Sequence, residues 1–218
     1  MRAQVLIFLG APGAGKGTQA TEASKEFGIP QISTGEILRE AVARRMPLGL
    51  AAKAKMEQGE LVPDEVVCGI VEDRVSRTDC RNGFILDGFP RTVAQAVFLD
   101  DMLERRGLGK PLVVNLQVES DVLLKRLTGR RTCPVCGKIY NIYFSPPRQD
   151  ELCDVDGTPL QSRADDNEGS IRRRLEAYER QTRPLIDYYR ERTLLHETDG
   201  NREPPVIARD LAGELRYS

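Results

Sequence analysis

Residues 10–18 read GAPGAGKGT and follow an uninterrupted apolar run, VLIFL, at 5–9. An unbroken apolar run is typical of a strand that is buried on both faces of a parallel sheet. Residues 16–27 then have the pattern of a helix that ends at Gly28. Glycines at such a junction let backbone N–H groups converge on a phosphate, which the positive end of the helix dipole also attracts. The stretch therefore predicts a phosphate-binding loop in which Lys16 reaches the terminal phosphates of a nucleotide.

The loop departs at one place from the common pattern Gly-x-x-x-x-Gly-Lys-Ser/Thr, because Gly17 occupies the hydroxyl position and Thr18 comes one residue late. A tight turn that binds nothing is the alternative, and the required residues in the required context argue against it. A second apolar run, FIL at 84–86, ends in Asp87. An acidic group at a strand end often marks only a turn, but beside a phosphate-binding loop it favours a position that holds Mg²⁺ or its waters.

Apolar runs and helical patterns alternate along the 218 residues. Further strands are predicted at 112–116 and 194–195, and helices at 33–45, 63–75, 92–106, 121–127 and 167–181. The first of these helices opens with the capping-box pattern Ser33-x-x-Glu36. The alternation predicts an α/β fold with a central parallel sheet flanked by helices. Two segments interrupt it and are interpreted as insertions over the sheet: 47–63, which is mostly helical, and 130–166, which is rich in Pro, Gly, Asp and Cys.

The composition is that of an ordinary globular protein, with 40% hydrophobic and 30% charged residues. The formal net charge of −1 argues against binding to nucleic acid or to a membrane surface through bulk electrostatic attraction. No apolar run approaches the roughly 20 residues of a membrane span. We expect a cytoplasmic protein, in which thiols stay reduced and clustered cysteines hold a metal rather than form disulfides.

Two pairs with the same spacing, Cys133-x-x-Cys136 and Cys153-x-x-Asp156, lie within the 130–166 segment. This spacing suits tetrahedral Zn²⁺, and four protein ligands would make the zinc structural. The segment is too poor in apolar residues to build its own core, so a cross-link would hold it together. A redox pair is the alternative for the first two cysteines, and the third cysteine at matching spacing argues against it. Asp154 is an alternative fourth ligand.

The other candidate reactive residues have ordinary structural interpretations. Cys68 and Cys80 have no partners at metal-binding spacing and are interpreted as core or incidental thiols. His196, the one histidine, lies outside every motif, which disfavours a mechanism through phosphohistidine. In the 167–181 helix the apolar stripe places Arg174 beside the buried face, while Arg173 points away from it and is expected to be solvated.

The loop at 10–18 occurs together with the run DGFPRT at 87–92. Further matching motifs follow in order at 33–35 with Arg39, at 61–65, at 129–131, at 163–167 and at Arg174. In this combination the chain closely resembles the adenylate kinases among the nucleoside monophosphate kinases, in their long-lid form and over essentially its whole length. A glycine after the loop lysine is normal in that family. The chain departs from it at Glu36, where the family commonly has Asp, and at Gly169-Ser170, which replaces a more acidic pair.

The resemblance implies a P-loop core, a helical insertion that binds the nucleoside monophosphate (NMP) and a small β-rich zinc-binding lid. Their implied bounds are 1–32, 63–129 and 167–218 for the core, 33–62 for the insertion and 130–166 for the lid. The implied activity is reversible transfer of the terminal phosphoryl group of Mg-ATP to AMP, giving two ADP, by direct in-line transfer with lid closure in a monomer. The family's metal-binding variants show Cys, Cys, Cys and Asp at this spacing, which favours Asp156 over Asp154.

The resemblance also assigns individual residues to these roles. ATP contacts are implied for Gly13, Ala14, Gly15, Lys16, Gly17, Thr18, Arg126, Tyr140 and Arg202. AMP contacts are implied for Thr34, Arg39, Glu60, Leu61, Val62, Gly88, Phe89, Pro90, Arg91, Gln95, Arg163 and Arg174. Catalytic roles are implied for Lys16, Asp87, Arg91, Arg130, Arg163 and Arg174. Because the phosphate of an NMP acceptor is already ionised, no general base is expected, and catalysis reduces to orientation and charge neutralisation.

Two other functions are compatible with parts of the sequence. A UMP/CMP kinase would have the same fold, but those relatives generally carry a short lid without cysteines. An ATP-binding zinc-ribbon module for nucleic acid is the alternative from a different class. The near-neutral charge and the lack of an aromatic platform beside the cysteines argue against that module.

Overall fold

The predicted parallel sheet is present in the computed structural model, which describes residues 4–217. The strands are β1 Gln4–Leu9, β2 Gln31–Ser33, β3 Gly83–Asp87, β4 Leu112–Gln117, β5 Arg130–Thr132, β6 Ile139–Asn141 and β7 Leu195–Asp199. Five of them form a parallel sheet in the order β2-β3-β1-β4-β7, and β5 and β6 form a separate antiparallel hairpin. Since β1 is central, the loop that follows it lies at the carboxyl edge of the sheet, between the ends of β3 and β4.

The helices cover this sheet on both faces. They are α1 Lys16–Phe27, α2 Thr34–Ala43, α3 Pro47–Gln58, α4 Asp64–Val75, α5 Val93–Arg105, α6 Ser120–Thr128, α7 Glu168–Ala177, α8 Pro184–Arg190 and α9 Pro204–Tyr217. The sequence did not predict β2, α8 or α9. Across residues 4–217 no helix combines the length and the apolar character needed to cross a bilayer. The core bounds predicted at residues 1 and 218 lie outside the described residues.

The two faces of β1 enter two different apolar clusters. Ile7 and Leu9 pack with side chains of α4, α5 and α8, whereas Leu6 and Phe8 pack with side chains of α1, α6 and α9. Burial on both faces is the reason for the unbroken apolar run, and each such side chain contributes about 1.5–3 kcal/mol. The α/β fold with a central parallel sheet is therefore confirmed.

One local prediction about the helices is wrong, and another differs from the structure in detail. Ser33 precedes α2, but its side chain makes no capping hydrogen bond, because Ser33 is still the last residue of β2 and pairs with Asp87 of β3. The single helix predicted at 167–181 is α7 followed by a π-type turn, Tyr178–Thr182. Pro184 then begins α8, since proline has no N–H to continue the preceding hydrogen-bond pattern.

The β5–β6 segment, residues 130–166, has little apolar interior of its own. Beyond the hairpin, isolated bridges join Thr132 to Gln161 and Leu152 to Pro159. Its apolar cluster consists of Cys133, Tyr140 and Cys153, with Leu160 packed against them. Such a cluster is too small to hold about 37 residues together, which agrees with the expected need for a cross-link.

The α2–α3 segment, residues 33–62, is held together by a close approach of two helix backbones. A Cβ atom added to Gly49 of α3 would lie 2.2 Å from the carbonyl carbon of Ala41 and 2.3 Å from the backbone nitrogen of Val42. These distances are far below van der Waals contact, and backbone atoms cannot rotate away. The packing of α3 on α2 therefore requires a residue without a side chain at position 49.

We expect Gly49→Ala to separate α2 from α3 and to lower the free energy of unfolding by about 1–3 kcal/mol, the usual cost of overpacking. Gly69→Ala is the matched control, because Gly69 is an exposed residue inside α4 and a Cβ there would meet nothing within 4 Å. That control should stabilise the protein by about 0.5–1 kcal/mol. Urea denaturation of both variants measures the difference, and equal stabilities would contradict the proposed contact.

Candidate functional site

The glycine-rich loop is shaped by its neighbours at the sheet edge. Gly10 has φ +136°, and a Cβ there would lie 2.7 Å from the carbonyl oxygen of Leu116 at the end of β4. A Cβ on Gly13 would lie 3.0 Å from Leu127 on α6. The loop thus passes between β4 and α6 with no space for side chains, and α1 begins at Lys16 directly after it. Backbone N–H groups at this helix start are available to an anion.

Lys16 folds back over the loop that precedes it. Its Nζ donates to the carbonyl oxygens of Gly10 at 2.7 Å and Ala11 at 2.9 Å. Burial lowers the pKa of Lys16 to about 7, although the charge of Asp87 acts in the opposite direction. Neighbouring guanidinium groups, led by that of Arg91, lower the pKa further. Neighbouring carboxylates therefore neutralise the ammonium group of Lys16 only in part.

Asp87, the last residue of β3, explains the missing hydroxyl in the loop. A Cβ on Gly17 would lie 3.2 Å from Asp87 Oδ2, so glycine leaves space for this carboxylate. Nε2 of Gln31 lies 3.4 Å from the same oxygen, and the Thr21 hydroxyl donates to Gln31 Oε1 at 2.9 Å. Gln31 belongs to the short strand β2, which gave no periodic signal, and the sequence did not point to its role.

Asp166, the last residue of the β5–β6 segment, binds both the first residue of that segment and an arginine of α7. Its side chain is 2% exposed and accepts from Arg130 Nε at 2.7 Å and from Arg174 Nη1 at 2.9 Å. Arg174 also lies 3.0 Å from Asp165. A carboxylate buried at this level requires such partners. Arg130 and Arg174, which are 44 positions apart in the sequence, are therefore held side by side.

Three further guanidinium groups face the same cleft. Burial lowers the pKa of Arg163 to about 10, and it also lowers the pKa of Arg39 and of Arg91. The Arg91 side chain is surrounded by protein atoms, which lowers its pKa, but part of its surface still contacts solvent; its Nε donates to the Gly88 carbonyl at 2.9 Å. The cations that act on one another here are Lys16, Arg39, Arg91, Arg130, Arg163 and Arg174. They outnumber the nearby carboxylates, which are Glu36, Asp87, Asp165 and Asp166.

A polar network lies beside the cleft where β3 leads into α5. Thr34 donates to the Gly88 carbonyl at 3.0 Å. The amide of Gln95 donates to Asp64 Oδ1 at 2.7 Å and accepts from the Arg91 backbone N–H at 2.7 Å. Leu61 and Val62 lie just before α4, whose first residue is Asp64.

The remaining residues predicted for the AMP side differ in accessibility. Phe89 is fully buried, and Pro90, which follows it through a cis peptide bond, is buried as well, so their side chains pack in the interior. Glu60 is exposed and forms a salt bridge with Lys55. The Phe89 and Pro90 side chains therefore support the interior, and Glu60 pairs with Lys55 outside the group of six cations.

On the other side of the loop, Arg126 spans two chain segments. Its guanidinium donates to the carbonyl oxygens of Ala14 at 3.3 Å and Gly200 at 2.9 Å. The ring of Phe144 lies 5.8 Å from its Cζ atom. The predicted Arg202 instead pairs with Asp210 at 2.5 Å, where both side chains are half exposed. Gly200 and Phe144 were not predicted, because a glycine and an aromatic residue in loops carry no motif.

Tyr140 does not present its ring to this region. It is 3% exposed, and its hydroxyl accepts from the Asp154 backbone N–H at 2.8 Å and lies 3.5 Å from Cys153 Sγ. In β6 the side chains alternate, so Ile139 is exposed and Tyr140 points into the small apolar cluster. The Tyr140 side chain therefore supports the β5–β6 segment from within its small apolar cluster.

The cysteines and one aspartate come together within the β5–β6 segment. One ligand atom from each of Cys133, Cys136, Cys153 and Asp156 lies within 4.8 Å of all the others. The Sγ atoms of Cys136 and Cys153 are 3.5 Å apart, and Cys133 Sγ is 3.4 Å from an Asp156 oxygen. Ligands around tetrahedral zinc are about 3.5–3.8 Å apart, given Zn–S near 2.3 Å and Zn–O near 2.0 Å. The group therefore fits zinc in chemistry and in size.

Asp154 is occupied elsewhere. Its Oδ1 accepts from the Arg148 backbone N–H at 2.8 Å, and its Oδ2 lies 3.9 Å from the Lys138 ammonium group. Among the described residues, the carboxylate that joins the three cysteines is that of Asp156.

Arg173 is exposed, as expected, but it also makes a contact that the sequence did not predict. Its Nε donates to the carbonyl oxygen of Gln58 at the end of α3. Ser170 is 1% exposed and donates to the neighbouring carbonyl of Glu57 at 2.9 Å. Two carbonyl groups at the C-terminus of α3 thus receive donors from α7. The small polar residue at 170, where the family has a more acidic pair, suits a buried contact with α3.

A glycine loop after the central strand, an acidic strand end and converging guanidinium groups define a P-loop phosphotransferase. A family model of adenylate kinase matches residues 8–194. An adenylate kinase of Thermodesulfovibrio yellowstonii is 57% identical over 195 residues, covering 89% of this chain and 91% of that one. Adenylate kinases of Archaeoglobus fulgidus and Bacillus subtilis are 52% and 48% identical, covering 96% and 97% of this chain and 97% and 99% of their own. The chain belongs to the adenylate kinase family and is a nucleoside monophosphate kinase.

The pKa of Lys16 gives a prediction about stability and pH. Its folded value of about 7 lies below the unfolded value of about 10.4, so the unfolded state binds the extra proton between these pH values. Stability due to Lys16 should therefore rise with pH from about 7 towards 10, by at most about 1.4 kcal/mol per pH unit. Urea denaturation of wild type and Lys16→Met at several pH values measures it. Lys25→Met, which changes an exposed lysine of the same helix, is the matched control, and parallel wild-type and Lys16→Met curves would contradict the prediction.

Proposed function

We propose that the protein transfers the terminal phosphoryl group of Mg-ATP to AMP, giving two ADP, by direct in-line displacement. The observation that carries this proposal is the excess of positive charge in the cleft between the glycine loop and the α2–α3 segment. An AMP phosphate is already ionised, so the transfer needs orientation and charge neutralisation rather than a base. The adenylate kinases that are about half identical to this chain support AMP as the acceptor.

On the donor side, the backbone from Gly13 to Thr18 holds the ATP phosphates, and Lys16 exchanges its two carbonyl partners for phosphate oxygens. Arg126, fixed by Ala14 and Gly200, lies near the adenine together with Phe144. Asp87 is the residue that would hold Mg²⁺ through its waters. When bound, Mg²⁺ neutralises the charge that develops on the phosphate oxygens.

On the acceptor side, Thr34, Arg39, Arg91 and Gln95 line the AMP site beside Leu61 and Val62. Arg130, Arg163 and Arg174 neutralise the moving phosphoryl group. Because Asp166 holds Arg130 and Arg174 by hydrogen bonds, their directions are set before the reaction starts.

The β5–β6 segment serves as a lid over the donor, and the α2–α3 segment binds the acceptor. The lid supplies Arg130 from its start and Arg163 from its end, so that closure brings cations to the phosphates and excludes water. The proposed bounds are 130–166 for the lid, 33–62 for the NMP-binding segment and the rest of the chain for the core. Since both sites are built from one chain, we propose that the protein acts as a monomer. We propose the cytoplasm as its compartment, where thiols stay reduced and can serve as metal ligands.

Initial rates with Mg-ATP and AMP, GMP, CMP or UMP test the proposed reaction. We expect kcat/KM to be highest for AMP, with two ADP formed for each AMP consumed. Lys16→Met is the control for contaminating kinases and should lose at least about 100-fold in rate, since it removes a cation from the transferring phosphate. A higher kcat/KM for any acceptor other than AMP would refute the assignment.

The second part of the proposal is a structural Zn²⁺ held by Cys133, Cys136, Cys153 and Asp156. The fit of the four ligand atoms supports it, together with the small apolar interior of the lid. Backbone N–H groups of Val135 and Cys136 lie 3.4 Å from Cys133 Sγ and would stabilise a thiolate ligand. The zinc would take no part in phosphoryl transfer.

Elemental analysis of protein purified without a metal-affinity tag should find about one zinc per chain. Asp156→Asn should lose most of this zinc, whereas the matched variant Asp154→Asn should keep it. Cys133→Ser should lower thermal stability more than turnover at moderate temperature, because the metal supports folding of the lid. Metal-free wild-type protein, or equal zinc loss in the two aspartate variants, would contradict the proposed ligand set.

A further inference from the structure

The carboxylate of Asp64 has no part in the chemistry proposed above, yet both of its oxygens accept hydrogen bonds. One oxygen accepts from Gln95 Nε2 and the other from the Thr92 hydroxyl, each at 2.7 Å. The same Thr92 oxygen accepts from the Gln95 backbone N–H at 3.1 Å and so caps α5. Hydrogen bonds thus connect the first residue of α4 to the first turn of α5. This residue, Asp64, lies directly after the segment that contains Leu61 and Val62.

These hydrogen bonds fix which way the Gln95 amide points. An ionised carboxylate only accepts, so Asp64 must face the nitrogen of the amide. A backbone N–H only donates, so that of Arg91, at 2.7 Å, must face the amide oxygen. An isolated glutamine amide can turn over at little cost, but here two partners of opposite polarity hold one orientation. In the other orientation Nε2 would face the Arg91 N–H and Oε1 would face the Asp64 carboxylate, so both contacts would become repulsive.

Each atom of the fixed amide keeps one unused position, a second N–H on Nε2 and a second lone pair on Oε1. A nucleobase beside Gln95 therefore meets a donor and an acceptor in a set order. Adenine offers a 6-amino donor and an N1 acceptor, which match that order. A 6-oxopurine in the same pose offers an acceptor and a donor in the reverse order, so both contacts are repulsive.

We propose that Asp64 is a positioning residue for base specificity. By holding the Gln95 amide in one orientation, it makes the acceptor site select a 6-aminopurine nucleotide over a 6-oxopurine nucleotide. This inference rests on the proposed function, in which Gln95 lines the AMP site. Sites built on such paired hydrogen bonds discriminate strongly, because a mismatched ligand leaves buried polar groups unpaired.

AMP and IMP are the most informative pair of acceptors for this test, since they differ only at the 6-position and N1 of the base. In Asp64→Asn, the isosteric side chain can present either oxygen or nitrogen, so Gln95 is free to turn over on that side. We expect the ratio of kcat/KM for AMP to kcat/KM for IMP to fall by about tenfold, through a loss for AMP and a gain for IMP. The change is partial because the Arg91 N–H still favours the original orientation.

Glu65→Gln is the matched control, because Glu65 is exposed and its replacement removes one negative charge from the same first turn of α4. This variant should keep the wild-type ratio. If Asp64→Asn does not fold, as judged by circular dichroism, Asp64→Ser replaces it, since a hydroxyl can also donate or accept. Binding of AMP and IMP by calorimetry then gives the same ratio without turnover.

The outcomes separate the two proposals. An unchanged ratio in Asp64→Asn, with AMP and IMP rates reduced alike, would mean that Asp64 only supports the fold, and the AMP specificity of the wild type would stand. A wild type that does not prefer AMP among the acceptors would overturn the proposed function and this inference together. A reduced ratio confined to the Asp64 variants supports the positioning role.

Discussion

The structure depends most on a concentration of positive charge in one cleft. Lys16 at the start of α1, Arg91 before α5 and Arg174 on α7 reach it from three separate elements. Burial, together with neighbouring guanidinium groups, lowers the pKa of Lys16 and of Arg91. Like charges at this density repel one another, and a polyanion bound between them relieves the repulsion. The charge of Asp87 offsets part of this repulsion, and Asp166 binds the guanidinium groups of Arg130 and Arg174 and fixes their directions. The fold therefore offers a cationic site that suits a ligand with several phosphates.

This requirement divides the molecule into a rigid core and two supported segments. The sheet buries apolar side chains on both faces and can hold the glycine loop in place. The segments that complete the cleft lie outside this core and need other means of support. In the β5–β6 segment these are the four proposed zinc ligands, and in the α2–α3 segment the close contact of Gly49 with Ala41. Both devices are local, so they fix the shape of a segment without fixing its position over the sheet.

Features that depend on residues close together in the chain could be predicted from the sequence, and features that depend on distant residues could not. The strand and loop up to Lys16 and the two cysteine-containing pairs have local signals, since each depends on residues close together in the chain. Strand β2 has three residues and continues directly into α2, so no periodicity marks it and the Ser33 capping box is wrong. The placement of Arg173 depends on Gln58, 115 residues away, and no local pattern contains that contact. The hydrogen bond between Asp64 and Gln95 could not be predicted for the same reason, since the two residues are 31 positions apart.

The start of α7 connects the two supported segments. Asp166, just before the helix, binds Arg130 at the beginning of the β5–β6 segment, while Ser170, one turn later, binds the end of α3. Arg174, a further turn along, returns to Asp166 and faces the cleft. Because these contacts lie on about two turns of one helix, a displacement of either segment changes the surroundings of the same arginine. The buried serine at 170 therefore helps to set how closely α3 approaches the guanidinium group of Arg174.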